Sequence, residues 1–214
     1  MSLLLILGAG GHAKVVAETA LVSGHFSEVA FLDDRCSATD QLPSGLGFPV
    51  LGPLALALES AHREQFASAA VAFGNATARL KWIEQLDAAG YALPVLIHPT
   101  AWVSPSAQIA SGSVLFAQAA VQAHALIGVG SILNTGCSVD HDAQLASGVH
   151  ICPGARLAGE VQVGARSWIG IGASVIQQVR IGSDVTVGAG AAVVRDLPDG
   201  VTAVGVPARV LPKP

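Results

Sequence analysis

The sequence predicts two domains of different class, a small α/β domain over residues 1–96 and an all-β solenoid over residues 97–214. Two periodicities lead to this prediction. From residue 97 onward an aliphatic residue recurs at every sixth position, whereas the first 96 residues alternate short apolar runs with helical segments. The first pattern is typical of stacked coils, and the second of a parallel sheet with helical crossovers.

The six-residue repeat continues through seventeen hexads, from residue 97 to residue 198, without an insertion. A period of six fits neither an α-helix nor a tight hairpin, but it fits short strands that each end at a corner. We expect the aliphatic side chains to stack along the axis, and the small or β-branched residue four positions later to allow the corner. Residues 199–214, which are rich in proline, are expected to cap the solenoid. The aliphatic positions are Ile97, Val103, Ile109, Leu115, Val121, Ile127, Leu133, Val139, Leu145, Ile151, Leu157, Val163, Ile169, Val175, Ile181, Val187 and Val193.

Strands and helices alternate in the first 96 residues. The pattern predicts strands at 3–7, 29–32, 70–73 and 94–97, and helices at 12–22, 53–60 and 76–89. Elements that alternate at this spacing form a parallel sheet with crossover connections. We therefore expect a small Rossmann-like domain that ends near His98-Pro99.

Composition and charge exclude several classes of protein. Mean hydropathy is high, at +0.56, yet no apolar run approaches the ~20 residues of a membrane-spanning helix. No basic segment precedes the apolar run 3–7, and glycines end it early, so we expect no signal peptide and a cytoplasmic location. The net charge of −4 and the lack of a Lys/Arg cluster argue against nucleic acid or a membrane surface as a partner. Cys36, Cys137 and Cys152 have no CxxC spacing and are expected to be buried without a chemical role.

A glycine-rich segment, Gly8-Ala9-Gly10-Gly11-His12-Ala13, joins a predicted strand to a predicted helix. Backbone N–H groups at the start of a helix favour phosphate, so this turn is a candidate diphosphate site. The spacing also fits a dinucleotide fingerprint with Asp33 as the ribose-binding acid, which leaves NAD as an alternative. The sheet is short for a full dinucleotide fold, which favours a single nucleotide. A tight turn that binds nothing is the remaining alternative.

The segment 134–142, Asn-Thr-Gly-Cys-Ser-Val-Asp-His-Asp, holds the strongest candidate for catalysis. Val139 keeps its inward place in the hexad, so His141 and Asp142 are expected on the outer surface or at a corner of the coil. An exposed imidazole accepts a proton near neutral pH, and an adjacent carboxylate orients it and raises its basicity. We therefore predict that His141 is a general base; an exposed polar corner without function is the alternative.

Histidines at 124, 141 and 150 also raise a zinc hypothesis, because trimeric γ-type carbonic anhydrases hold zinc with histidines on a β-helix. The separations here are 17 residues from His124 to His141 and 9 residues from His141 to His150. These separations do not match the spacing of those enzymes, and a zinc site depends strictly on ligand placement. We predict no metal.

Motifs along nearly the whole chain, taken together and in order, point to one family. They are G-A-G-G-H-A-K (8–14), F-L-D-D (31–34), G-N (74–75), N-T-x-x-x-V-D-H-D (134–142), V-H-I-C-P-G-A (149–155), L-A-G (157–159) and V-G-V-P-A (204–208). The sequence resembles the sugar acetyltransferases of the PglD/NeuD type, hexapeptide-repeat enzymes that acetylate nucleotide-linked amino sugars or sialic acid with acetyl-CoA. The resemblance implies a left-handed β-helix with three hexads per coil. It also implies a homotrimer with the CoA groove between neighbouring subunits.

The resemblance implies a role for each matching residue. His141 matches the catalytic base, Asp142 the carboxylate beside it, and Gly159 a backbone N–H group that meets the oxyanion. Asn134 matches the wall of the active site, and His150 a histidine that contacts the acetyl-CoA thioester. The residues that match the acceptor pocket are Gly10, Gly11, His12, Asp33, Asp34, Gly74 and Asn75. Those that match the CoA site are His150, Gly159, Ile171, Ala189, Gly205 and Pro207.

The leading functional hypothesis is N-acetylation of a UDP-linked amino sugar by direct transfer from acetyl-CoA. The nearest alternative is O-acetylation of sialic acid or a related sugar by the same residues. Two hypotheses from other classes are a trimeric scaffold with a nucleotide-sensing domain and an NAD-binding regulator. Stabilisation by NAD or by UDP-sugars would separate the regulator from the enzyme.

Overall fold

A computed structural model describes residues 2–36 and 47–212 of the chain. The chain divides into two compact units, Met1–Pro99 and Thr100–Pro214. The predicted boundary, after residue 96, lies three residues before this division. None of the helices in the described ranges is long and apolar enough to cross a membrane.

The first unit contains a four-stranded parallel sheet in the order β3-β2-β1-β4. Its strands are β1 (Leu3–Leu7), β2 (Glu28–Leu32), β3 (Val50–Gly52) and β4 (Ser68–Val71), and β5 (Leu96–Ile97) follows later in the chain. Its helices are α1 (Gly11–Val22), α2 (Ser60–Gln65) and α3 (Ala76–Ala88), with a 3₁₀ helix at Leu54–Leu58. The predicted helix at 53–60 is therefore a 3₁₀ helix that leads into α2. Strand β3 was not predicted, because three residues are too short for a periodic signal.

Sequence and local structure agree closely around β1. Leu4, Leu5, Ile6 and Leu7 are fully buried, as expected for a central strand of a parallel sheet that is covered on both faces. Strands β1, β2 and β4 run in the same direction, so their carboxyl ends lie at one edge of the sheet. The predicted acceptor residues follow these three ends, and the fold gathers them at that edge.

The second unit is a parallel β-helix. Its strands are β6 (Trp102–Val103), β7 (Gln108–Ile109), β8 (Val114–Leu115), β9 (Ala120–Val121), β10 (Leu126–Ile127), β11 (Ile132–Leu133), β12 (Ser138–Val139), β13 (Gln144–Leu145), β14 (His150–Ile151), β15 (Arg156–Leu157), β16 (Gln162–Val163), β17 (Trp168–Ile169), β18 (Ser174–Val175), β19 (Arg180–Ile181), β20 (Thr186–Val187) and β21 (Ala192–Val193). β22 (Thr202–Val204) and the antiparallel β23 (Arg209–Val210) close the unit. From β6 to β18, each hexad strand pairs with the strand three hexads later, as β11 does with β14. Residues therefore stack at intervals of 18.

The strands of the β-helix form three flat faces. The first face contains β8, β11, β14, β17, β20 and β22; the second contains β6, β9, β12, β15, β18 and β21; the third contains β7, β10, β13, β16 and β19. The chain passes from the first face to the second, then to the third, and back to the first. The predicted fold class, an α/β domain followed by a hexad β-helix, is confirmed.

The interior of the coil contains two residues from each hexad. Leu133 and Val139 of the aliphatic series are fully buried, and so are Cys137 and Ala143, which stand four positions after them. The small residues thus point inward. The sequence-based expectation that they form the corners is wrong. The corner lies one residue earlier, where the backbone has positive φ at every sixth residue from 112 to 190.

Truncation inside the coil should be costly, and truncation on its surface should not. Leu133→Ala removes a fully buried side chain from a closely packed column and should lower the free energy of unfolding by about 2–5 kcal/mol. Gln162→Ala, a change on the exposed side of the third face, should alter it by no more than about 0.5 kcal/mol. Urea unfolding of both variants measures the difference. Equal losses would contradict the inward assignment of the aliphatic series.

Candidate active site

His141 and Asp142 lie at the edge of the β-helix where the chain leaves β12 on the second face for β13 on the third. The preceding Val139 is fully buried in the coil, so the two polar residues project outward. His141 Nδ1 lies 2.8 Å from Asp142 Oδ2, and the two side chains are 54% and 53% exposed. The pair is therefore accessible to a ligand.

Carboxylates surround the imidazole of His141. Its pKa is raised above the usual value, chiefly by the hydrogen bond with Asp142 and further by the negative charges of Asp140, Asp142 and Glu160. A neutral imidazole that donates Nδ1–H to Asp142 presents the lone pair of Nε2 as its proton acceptor. The geometry thus assigns the acceptor position of the ring to Nε2.

Gly159 stacks one coil beyond His141, since the N–H of the next residue, Glu160, donates to the carbonyl of His141 at 2.9 Å. A Cβ atom at Gly159 would lie 2.5 Å from both Cε1 and Nε2 of His141. Only glycine leaves room for the ring in this position. The N–H of Gly159 donates to no protein acceptor in the described part of the chain. A hydrogen-bond donor and a base nitrogen therefore lie side by side.

Left-handed backbone conformation marks this same edge. Its four stacked residues with positive φ are His124, Asp142, Glu160 and Gln178, and none is a glycine. The next edge along the chain, which leads from the third face back to the first, has glycine at 112, 130 and 148 and a side chain only at Arg166 and Asp184 among its residues with positive φ. Non-glycine residues adopt this conformation at a cost and often occur where function requires the side chain. The lack of glycine at these four positions would have distinguished this edge in the sequence if the place of the corner within the hexad had been known.

Asn134 and His150 form a second cluster, on the first face. Asn134 Nδ2 lies 3.2 Å from His150 Nε2, and the Asn134 side-chain oxygen accepts the Thr135 N–H at 2.8 Å. His150 is only 6% exposed, and its ring centroid lies 4.1 Å from that of Trp168, one coil beyond. Because an amide nitrogen only donates, Nε2 of His150 is the acceptor. His150 therefore contacts Asn134 through Nε2, and its contact with the acetyl-CoA thioester stays a prediction.

The predicted CoA residues lie on the edge next to Asn134, where the first face turns into the second. Ile171 and Ala189 are exposed and stack on successive coils, since the N–H of Gly190 donates to the carbonyl of Ile171 at 2.8 Å. Gly205 contacts the last coil through its carbonyl, which accepts the Ala192 N–H at 3.0 Å, and Pro207 is exposed nearby in the chain. Within one chain, these residues and Asn134 are separated from His141 by the second face.

The predicted acceptor residues of the first unit lie at the carboxyl edge of its sheet. Gly10 is the N-cap of α1, and Gly11 is its first residue. Asn75 caps α3, because its side-chain oxygen accepts the Ala78 N–H at 2.9 Å. Asp34 is exposed, and one of its oxygens accepts the Leu54 N–H at 2.9 Å. Gly74 precedes the cap of α3 in the same loop.

A buried arginine, Arg79, lies beneath this edge and was not predicted. Its Nη1 donates to the carbonyls of Phe73 and Gly74 at 2.6 and 3.0 Å, and burial lowers its pKa to about 10. Burial and then the Arg79 charge lower the pKa of His12 to about 4, so that imidazole is neutral at physiological pH. The sequence shows only one arginine in an amphipathic helix, and its burial is decided by the packing of α3.

Metal-ligating and thiol side chains are dispersed through the part of the chain that the structure describes. In the ranges 2–36 and 47–212, no group of three or more His, Cys, Asp or Glu residues is placed to hold a metal ion. Cys137 and Cys152 are buried, which raises the pKa of each thiol to about 12. Both thiols are therefore protonated at neutral pH and are weak nucleophiles.

Comparison with known proteins identifies the family. The PglD N-terminal domain family matches residues 3–86. The acetyltransferase domain of PglB from Neisseria gonorrhoeae is 48% identical, with 99% of this chain and 100% of that chain covered and a TM-score of 0.92. This chain belongs to the PglD-type sugar acetyltransferases. The family resemblance inferred from the motifs is confirmed, and with it the left-handed β-helix of hexapeptide-repeat enzymes.

Two further structures extend the comparison. The same PglB domain in complex with acetyl coenzyme A is 49% identical over 98% of each chain, with a TM-score of 0.90. A mutant of perosamine N-acetyltransferase from Caulobacter crescentus, in complex with CoA and GDP-perosamine, is 39% identical over 100% of this chain and 98% of that one, with a TM-score of 0.92. No match was found among curated protein sequences. The similarity to these acetyltransferase structures shows that the PglD-type enzyme described here is an acetyl-CoA-dependent sugar acetyltransferase.

Removing the charge of Asp142 should lower the basicity of His141. The pKa of His141 is raised chiefly by its hydrogen bond with Asp142, so Asp142→Asn should bring that pKa down towards its usual value. Asp184→Asn is the matched control, because Asp184 occupies the same place in its hexad at another edge, where it pairs with Arg166. An NMR titration of the His141 ring, assigned with His141→Gln, measures both. An unchanged pKa in Asp142→Asn would show that the pair contributes nothing to the basicity of the ring.

Proposed function

We propose that this enzyme transfers the acetyl group of acetyl-CoA to the amino group of a nucleotide-linked amino sugar, with His141 as general base. The observation that carries the proposal is the placement of His141 Nε2 against Gly159, whose N–H donates to no protein acceptor in the part of the chain that the structure describes. Acyl transfer to an amine needs a proton acceptor for the nucleophile and a donor for the oxyanion. Both groups are present at one point on the surface.

The reaction follows from these two groups. His141 Nε2 accepts a proton from the amine as its nitrogen attacks the thioester carbonyl, and the Gly159 N–H donates to the oxyanion. Collapse of the tetrahedral intermediate breaks the carbon–sulfur bond, and the CoA thiolate takes the proton from the imidazolium. Asp142 stabilises the imidazolium in the interval, as its hydrogen bond to Nδ1 favours the charged ring. No covalent enzyme intermediate is needed.

The relatives favour an amino group as the acceptor. The Caulobacter protein is named a perosamine N-acetyltransferase and was crystallised with GDP-perosamine, whereas no observation on this chain favours O-acetylation. We propose N-acetylation on this basis. The UDP nucleotide predicted from the motifs stays a prediction, and GDP is the other nucleotide to test. The cytoplasmic location and the metal-free reaction also stay predictions.

We further propose a homotrimer in which each active site is shared. His141 stands at one border of the second face, while Asn134, Ile171 and Ala189 stand at the other. The face between them carries exposed apolar side chains, Trp102, Ile176 and Val194, which favour burial against another surface. Packing of three copies through this face about a threefold axis would bring the His141 edge of one copy towards the Asn134 edge of the next.

Loss of the base should lower turnover and leave binding intact. His141→Ala should reduce kcat by roughly 10²–10⁴-fold, with the affinity for CoA and the melting temperature nearly unchanged, because the side chain is exposed and outside the core. His124→Ala is the matched control, as it removes another exposed histidine of the same edge. Steady-state kinetics, CoA titration calorimetry and thermal unfolding on the two variants test this. Near wild-type turnover of His141→Ala would refute the base assignment.

A shared site predicts complementation between two inactive variants. His141→Ala and Asn134→Ala should each have low activity alone. Trimers re-formed from equal amounts of both should regain about a quarter of the wild-type activity, since random mixing places an intact His141 edge beside an intact Asn134 edge in about that fraction of sites. Light scattering gives the oligomeric state of each sample. A fully active monomer, or mixed trimers with no recovered activity, would contradict the shared site.

A further inference from the structure

The carboxylate of Asp33 has its hydrogen-bonding positions occupied by the protein. One oxygen, Oδ2, accepts the Ala9 N–H at 2.7 Å and Arg35 Nη2 at 2.7 Å. The other, Oδ1, accepts the Arg35 N–H and Arg35 Nε, each at 2.9 Å. These bonds, chiefly those from Arg35, lower the pKa of Asp33 well below its usual value. Asp33 is buried, so a ribose hydroxyl would have to displace one of four donors in order to bind it.

The Arg35 side chain extends from the buried Asp33 towards solvent. Its side chain is 64% exposed, and its hydrogen bonds to Asp33 use only Nε and one N–H of Nη2. The N–H groups of Nη1 make no hydrogen bond within the part of the chain that the structure describes. Asp33 is anchored on Ala9, so the bidentate pair holds the guanidinium rigidly beside the glycine-rich turn. The outer edge of this guanidinium, with the N–H groups of Nη1, is therefore available to donate hydrogen bonds to a ligand.

The guanidinium lies over the start of α1. A Cβ atom on Gly10, the N-cap of this helix, would lie 3.8 Å from Arg35 Nη2, and a Cβ atom on Gly11 would meet nothing within 4 Å. No acidic residue stands in the first turn of α1. The positive charge of Arg79 reaches the same turn from below, because it contributes to the lowered pKa of His12. The charges of Arg35 and Arg79 thus act on this open stretch of backbone, and the acidic groups that follow β2 at the same edge are Asp33, which is paired with Arg35, and Asp34.

We propose that Arg35 is a specificity-determining residue that binds the diphosphate of the nucleotide-linked substrate, and that Asp33 is a positioning residue that holds Arg35. The proposal rests on the proposed function, because it names how the acceptor pocket recognises its nucleotide. A guanidinium with one edge on a carboxylate and the other towards solvent suits phosphate oxygens. The same geometry leaves the dinucleotide alternative without its ribose acceptor, since Asp33 is engaged by Arg35.

Binding of nucleotides and nucleosides to matched variants tests the assignment. Calorimetric titrations with GDP, UDP, guanosine and uridine should show Arg35→Ala weakening the diphosphate that binds wild-type protein by about 10-fold or more, while binding of the corresponding nucleoside changes little. Arg166→Ala is the control, because Arg166 forms the same bidentate pair, with Asp184, in the β-helix. The control should leave both affinities unchanged. Added salt should weaken diphosphate binding to wild-type protein more than to Arg35→Ala.

The role of Asp33 is tested by coupling. If Asp33 acts through Arg35, Asp33→Asn should weaken diphosphate binding, and the double variant Asp33→Asn/Arg35→Ala should lose little more than Arg35→Ala alone. Additive losses, or a larger effect of Asp33→Asn on the nucleosides, would show that Asp33 contacts the ligand directly. Thermal unfolding confirms that each variant is folded before titration.

Two results would overturn the proposal for Arg35. One is diphosphate affinity within twofold of wild type in Arg35→Ala; the other is an equal loss for nucleoside and diphosphate, which would indicate a contact with the base. Acetyl transfer separates this failure from failure of the proposed function. If the enzyme acetylates a nucleotide-linked amino sugar and Arg35→Ala leaves KM for that sugar unchanged, the proposed function stands and the role proposed for Arg35 is wrong. If wild-type protein binds neither GDP nor UDP and transfers no acetyl group to such sugars, both the proposed function and the role proposed for Arg35 are wrong.

Discussion

Stacking of each residue on the one eighteen positions later is the constraint on which the β-helix and its site depend. Three uninterrupted hexads make one coil, and inward aliphatic side chains such as Leu133 and Ile151 hold successive coils in register. The same register brings Gly159 against His141 and places Trp168 on His150. The geometry of the site is thus a consequence of the packing of the core.

The edge that carries His141 combines strain with charge. Asp142 and Glu160 adopt left-handed backbone conformations, which disfavour residues with a side chain by roughly 1–2 kcal/mol each. Glycine would relieve this strain and would also remove the carboxylates that raise the pKa of His141. Retaining side chains here is the kind of local conflict expected at a functional position. The stacked hydrophobic interior supplies the stability that such a surface edge requires.

In the first unit, a motif indicates where a residue lies and leaves its contacts undetermined. The sequence located Asp33 about twenty residues after the glycine-rich turn, which matches a ribose-binding acid. In the structure its carboxylate accepts hydrogen bonds from Ala9 and Arg35. His150 shows the same pattern, since the motif places it in the candidate site while its Nε2 contacts Asn134. Motif spacing depends on the backbone, whereas the partner of a side chain depends on how both near and distant residues pack around it.

By itself the sequence determined the α/β character of the first part, the six-residue repeat of the second, the outward position of His141 and Asp142, and the family. These features follow from local periodicity and short-range order, which survive in one dimension. Only the tertiary structure decided that Gly159 lies against the His141 ring, that the small residues point inward, that Arg79 is buried beneath the carboxyl edge of the first sheet, and that Arg35 is held by Asp33. The burial of Arg79 and the contact of Gly159 with His141 depend on which distant segments pack together, whereas the pair of Asp33 and Arg35, two residues apart, depends on side-chain conformations that spacing does not specify. The separation of His141 from Asn134 by a whole face is likewise a property of the closed coil.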